Sequence, residues 1–187
     1  MIGRVILFIV SAAQVSAAEV RQCEDLWMVR NLIFDRGGYC FTTPLGEALF
    51  DNADCTTSQP AVPAEDAARV VRIREIEAER GCAIDASARG LADDGMLELY
   101  RELTDLPVPE LYTGGCIDYL GTPFDLRAGA AMNAEVIGRA DVRRSLGFAH
   151  YPQDGWTYMT VHARDGSVVS HGWAILPDPL LCDEIPD

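Results

Sequence analysis

Apolar positions recur at helical spacing through the first half of the chain and at alternate positions through the second. After Cys23, Leu26, Val29, Arg30 and Ile33 fall at i, i+3, i+4 and i+7, with Trp27 and Phe34 flanking the stripe. Glu24 and Asp25 sit in the first turn of that run, where the helix dipole favours anions, and Gly37-Gly38 stops it. Thr43-Pro44 reads as the cap and first residue of a short second helix carrying Leu45, Ala48 and Leu49 and ending near Asp51-Asn52. The opening unit is therefore expected to be a helical hairpin. A polar, Pro-containing connection over 56–63 leads to the longest helix candidate, Glu65 to Arg80. There Ala67, Val70, Val71 and Ala78 share a face, Glu65 and Arg69 form an i, i+4 pair, and Gly81 ends the run. Met96, Leu99, Tyr100 and Leu103 mark a fourth helix, stopped by Pro107.

From Cys116 onward the period changes to two. Five short β-branched or aromatic runs (FDLRAG, EVIGRA, SLGFAHYP, WTYMTVHA and VVSHGWAIL) are separated by turn residues such as Gln153-Asp154-Gly155 and Asp165-Gly166. Five strands joined by tight turns predict a small antiparallel barrel that closes its own edges. The boundary falls at Pro107-Val108-Pro109. The expected class is α+β: a disulfide-braced helical domain over 19–108, then a β-barrel over 109–187.

Residues 1–18 read as an address. Arg4 is the charged start, Val5 to Val10 the apolar segment, and the small residues around Val15-Ser16-Ala17-Ala18 fit export cleavage. That apolar run is well short of the ~20 residues a membrane span needs, so no insertion is expected after cleavage. The destination is the periplasm or the outside of the cell. All six cysteines (Cys23, Cys40, Cys55, Cys82, Cys116 and Cys182) lie beyond the address, and no two form a C-x-x-C pair. An even count in an exported chain favours three disulfides over a zinc site or a redox pair. Cys116 and Cys182 bracket the strands and are expected to pair, because a barrel brings its ends together. Cys23 and Cys55 flank the hairpin and could close its open end, leaving Cys40 with Cys82; the pairing of these four stays open. The net charge is −14, from 29 Asp+Glu against 15 cations that are all Arg, so nucleic acid is an unfavourable partner.

Arg30, Asn31, Ile33, Arg36, Gly38, Tyr39 and Phe41, with Pro44, Leu45 and Phe50 downstream, resemble the YARHG domain of secreted bacterial proteins. Phe34, Asp35 and Gly37 stand where that domain has Tyr, Ala and His. Leu126-Arg127-Ala128-Gly129 and Val136-Ile137-Gly138, with Gly155-Trp156 and Gly172-Trp173 later, resemble a bacterial SH3-like domain. The whole arrangement is similar to a family of secreted Gram-negative proteins. These resemblances imply an SH3-like antiparallel barrel in the cell envelope and imply no reaction.

Three histidines, His150, His162 and His171, are too scattered in sequence to suggest a metal site, and no cofactor is expected. Ser145 or Ser170 with His150 and Asp165 lacks the Gly-x-Ser-x-Gly elbow that presents a nucleophile. Asp93-Asp94 are adjacent and read as a helix cap, and Arg143-Arg144 as solvated charge in a turn. No catalytic residue is assigned. Tyr151, Trp156, Tyr158 and Trp173 are the candidate ligand platform, since Trp156 and Tyr158 share one face of a strand; Trp173 equally suits a core. Arg36 is the further ligand-binding candidate, with capping of backbone carbonyls as its structural reading. The expectation is a non-catalytic envelope module that binds peptidoglycan peptide or an envelope protein through the SH3-like barrel. The rival is a periplasmic or cell-wall hydrolase with an unrecognised site.

Overall fold

The computed structural model describes residues 16–186, so the first fifteen residues of the expected export address lie outside the described part. Helices α1 (Ala17–Arg36), α2 (Pro44–Leu49), α3 (Ala64–Arg80) and α4 (Gly95–Arg101) precede seven strands. These are β1 (Pro109–Tyr119), β2 (Phe124–Arg127), β3 (Val136–Ala140), β4 (Ser145–His150), β5 (Thr157–His162), β6 (Val168–Ala174) and β7 (Cys182–Glu184). The four helices fall where the periodicity places them, but α1 begins at Ala17 and not after Cys23, so Glu19 is the acid of its first turn and Glu24 and Asp25 lie inside it. Thr43 accepts the Gly46 amide at 3.2 Å with Pro44 in the first turn, and Gly81 ends α3 in the left-handed conformation at φ 65°.

Two helical faces differ from expectation. On α1 the buried set includes Met28, Asn31 and Leu32 as well as Leu26, Val29 and Ile33 of the stripe, because α3, α4 and β1 pack around it, while Arg30 is only half-buried. On α3 the buried face is Arg69, Val70, Ile73 and Ile76, while Val71 stays exposed. The two isoleucines outweigh the alanines that the sequence stripe used.

The sheet is open. Its order is β3-β2-β6-β5-β4-β1-β7, every ladder is antiparallel, and no ladder joins β3 to β7. The five expected strands are β2 to β6; β1 and the short β7 extend the sheet beyond them. A barrel was expected to hide its own interior, but here other elements cover each face. One face packs under the helices: Trp156, Tyr158 and Trp173 join Leu26, Ile33, Ile73, Leu97 and Tyr100 in a single core. The other gathers Cys116, Tyr119, Leu126, Leu146, Met159 and Val161, with Leu176 and Leu180 of the segment before β7 packed against it. Closure is therefore not needed to bury apolar area. Gly172, at φ 141°, lets β6 approach β2 where a Cβ would lie 2.8 Å from the Arg127 carbonyl oxygen.

Three disulfides are formed, and two of the pairings differ from those the hairpin suggests. Cys116–Cys182 ties β1 to β7, as expected. The others are Cys23–Cys82 and Cys40–Cys55, not Cys23–Cys55 and Cys40–Cys82. The reason is helix length. At 1.5 Å per residue, α1 with 20 residues runs roughly 30 Å and α2 with six only about 9 Å, so the hairpin has no matched open end. Cys40 and Cys55 meet at the α2 end, where the Cys40 amide donates to the Thr57 carbonyl at 2.8 Å. Cys23 lies instead beside the end of α3, which runs antiparallel to α1, as the Arg30–Glu77 ion pair at 3.1 Å also shows.

Candidate functional site

The candidate platform aromatics are turned inward. Tyr158 and Trp173 are fully buried and Trp156 is 8% exposed, all in the core between helices and sheet. Trp173 donates its indole N–H to the Asp105 carbonyl at 2.8 Å, which fastens the segment after α4 to β6. Those three rings present no surface platform. Trp156 and Tyr158 do share one face, and that face is the one under α4. Tyr151 is half-buried, with the Arg72 guanidinium over its ring at 5.5 Å from the centroid. Arg36 donates to the Tyr100, Leu103 and Thr104 carbonyls at 3.2, 2.6 and 3.4 Å. These are acceptors that the end of α4 leaves open, so Arg36 caps a helix.

Around Tyr158 runs a chain of polar groups that the sequence did not announce. The Tyr100 hydroxyl lies 2.9 Å from His150 Nε2, and the His150 ring stands edge-on to Tyr158 with centroids 4.6 Å apart. The Tyr158 hydroxyl is 3.3 Å from His171 Nδ1, and His171 Nε2 is 3.2 Å from Glu102. Burial pushes the His150 imidazole down to about 3, so it is neutral, and pushes both tyrosine hydroxyls up. The third histidine, His162, is held by Thr160 Oγ1 at 2.8 Å and the Gly166 carbonyl at 3.1 Å. Inside α1, burial first, then the Asp93 and Glu24 carboxylates, raise the Asp25 carboxyl to about 7. Glu24 itself accepts the Ala92 amide at 2.8 Å and holds the loop before α4. Among the described residues no group of three His, Cys, Asp or Glu is placed to hold a metal ion.

Two cavities open elsewhere. One, of about 590 Å³, lies beside the Cys23–Cys82 bridge and is lined by Glu19, Val20, Glu79, Arg80 and Ile84, among others. Two of its lining residues carry buried polar atoms without a partner among the described residues: Gln22 Oε1 and Arg80 Nε. The other, of about 500 Å³, lies between the turn after β3 and the turn after β5.

Comparison with protein families places two units on the chain. Residues 5–78 match the YARHG domain, and residues 81–185 match a domain of unknown function, DUF4453. The chain belongs to the DUF4453 family. No curated protein and no solved structure matches it. The DUF4453 match takes in α4 together with the whole sheet, the same elements that Tyr100, His150 and Tyr158 join. The YARHG match contains α1, α2 and most of α3. The YARHG domain and the three disulfides together mark an extracellular or envelope protein. Among the described residues no helix is long and apolar enough to cross a membrane.

Proposed function

We propose that this DUF4453 protein is an exported, non-catalytic envelope binding module that takes peptide ligands in the cleft beside Cys23–Cys82. The observation that carries the reading is the lining of that cleft. Glu19 and Glu79 offer carboxylates, Arg80 a guanidinium, and Val20 and Ile84 apolar contact, within about 590 Å³. A peptide bearing both an amine and a carboxylate matches that set, and the stem peptide of peptidoglycan is an envelope ligand of this chemistry. The Cys23–Cys82 bridge supports the reading by holding the two walls of the cleft, from α1 and the end of α3, in place. The resemblance of the β2–β3 and Gly-Trp strands to bacterial SH3-like domains also favours a wall-facing role. Two of the three histidines weigh against the hydrolase alternative: His150 and His171 are buried and hydrogen-bonded, and neither lines either cavity.

Co-sedimentation of the mature, oxidised protein with purified sacculi, at low and high salt, tests the proposal. A Glu79→Gln/Arg80→Gln double variant runs alongside. Saturable binding that the folded variant loses supports the cleft as the peptide seat. No binding at either salt overturns the wall reading and moves the search to an envelope protein partner.

A further inference from the structure

The second cavity has a different chemistry. Its lining is Val142, Arg143, Arg144, Ala163, Arg164 and Asp165, so three of the 15 arginines meet in about 500 Å³. The sequence alone separates them into two turns some twenty residues apart. The ladder brings them together, because β4 pairs with β5 and Ser145 lies opposite His162, which places Arg144 beside the turn that carries Arg164.

Both turns are held in place. The Arg143 amide donates to the Tyr119 carbonyl, and the Tyr119 amide donates to the Arg144 carbonyl, each at 2.8 Å. Across the cavity, the Ala163 amide donates to the Ser167 carbonyl at 2.9 Å. Arg30, Arg69, Arg72, Arg101 and Arg139 each pair with a carboxylate. Among the described residues Arg143, Arg144 and Arg164 make no ion pair within 4 Å, although the Arg144 charge helps to hold the Asp165 carboxyl low. The one carboxylate in the lining, Asp165, accepts the Ser167 amide at 3.0 Å and the Ser167 hydroxyl at 2.7 Å. The lining therefore carries a net charge of +2 in a chain whose total is −14.

Like charges brought together on anchored turns repel, and an anion held between them relieves that repulsion. We infer that this cavity is an anion site for a phosphate or pyrophosphate group. Guanidinium forks match tetrahedral oxyanions with paired N–H donors, and three of them around one cavity can engage several oxygens at once. The ligand is a small soluble phosphate compound, not a polyanionic surface. At the Debye length of physiological salt, about 8 Å, the local positive group governs a small ion, while the acidic remainder of the chain repels an extended negative surface.

The test is calorimetric titration of the oxidised full chain with inorganic phosphate and pyrophosphate at constant ionic strength, with chloride as the control. The variants are Arg144→Gln, Arg164→Gln and Arg143→Asn; Asn tolerates the φ of 63° at that position. Saturable one-to-one binding of pyrophosphate, weakened about tenfold by each variant, is the expected result. Arg89→Gln, an exposed arginine outside the cavity, should leave that binding unchanged. Absence of saturable binding overturns the inference, as does binding that all three variants retain. Attachment only to phosphatidylglycerol vesicles, without binding of free pyrophosphate, also overturns it. This site stands apart from the Cys23–Cys82 cleft, so the outcome is independent of the sacculus experiment.

Discussion

His150 brings two ring nitrogens into a core that offers a partner to only one. Nε2 meets the Tyr100 hydroxyl, and Nδ1 is buried with no partner among the described residues in either tautomer. Such a ring resists a second proton, which is why its value falls to about 3. Between pH 3 and the usual 6.5, the unfolded chain binds that proton and the folded one does not. His150 therefore contributes stability that is present above pH 6.5 and declines on acidification, by up to about 1.4 kcal/mol per pH unit. Asp25 works in the opposite direction. Its folded value near 7 lies above the ordinary 3.8, so its contribution is greatest below pH 4 and is lost as pH rises through 7. The two slopes offset each other between about pH 4 and 6.5. Asp25→Asn should remove one of them, raising stability at pH 8 by about 1–3 kcal/mol and steepening the loss below pH 6.5. Urea unfolding at pH 4.5, 5.5, 6.5 and 8 reads both effects. A variant whose stability follows the wild-type pH profile in parallel would refute the account. The sequence could not supply this pair: a His in a period-two run shows no sign of a Tyr fifty residues upstream.

Among the elements, helices were legible and their partners were not. Caps, breakers and a 3.6 period are local signals, and Thr43-Pro44, Gly81 and the leucines of α1 carry them within one or two turns. Disulfide pairing depends on how long helices lie against each other, and α1 far outruns α2. The corrected pairing has a measurable consequence. Cys23–Cys82 spans 59 residues and Cys40–Cys55 spans 15. In the chain-entropy picture, the first bridge is worth up to about 4 kcal/mol and the second about 3. Replacing Cys23 and Cys82 by Ala should lower the urea midpoint more than replacing Cys40 and Cys55. The first change also frees the end of α3 from α1, so it should increase amide exchange around residues 77–84. Equal midpoints with unchanged exchange at α3 would show that the Arg30–Glu77 pair and the Ile73 and Ile76 packing hold that helix without the bridge.

At the level of the whole molecule, the change from helical to alternating period suggests two independent domains, yet helices and sheet build one core. The grammar changes because secondary structure changes; it carries no information about which faces meet. Trp156, Tyr158 and Trp173 pass for a binding platform because an exposed aromatic row and a row buried under a helix have the same spacing. Their placement predicts how the chain divides. A large aromatic side chain buries roughly 150–250 Å², about 4–6 kcal/mol at 25 cal/mol per Å². If the helices supply even half of that cover, removing them costs the three rings about 6–9 kcal/mol together, comparable with the whole 5–15 kcal/mol margin of an ordinary domain. Residues 109–187 expressed alone should therefore bind a hydrophobic dye and unfold without cooperativity, even with Cys116–Cys182 oxidised. The full chain should unfold in one transition. Tryptophan fluorescence tests this directly, because Trp27 reports from α1 while Trp156 and Trp173 report from the sheet side of the same core. Coincidence of that signal with far-UV circular dichroism would mark a single cooperative unit. A fragment that melts sharply at the midpoint of the full chain would show that the sheet stands without its helical cover.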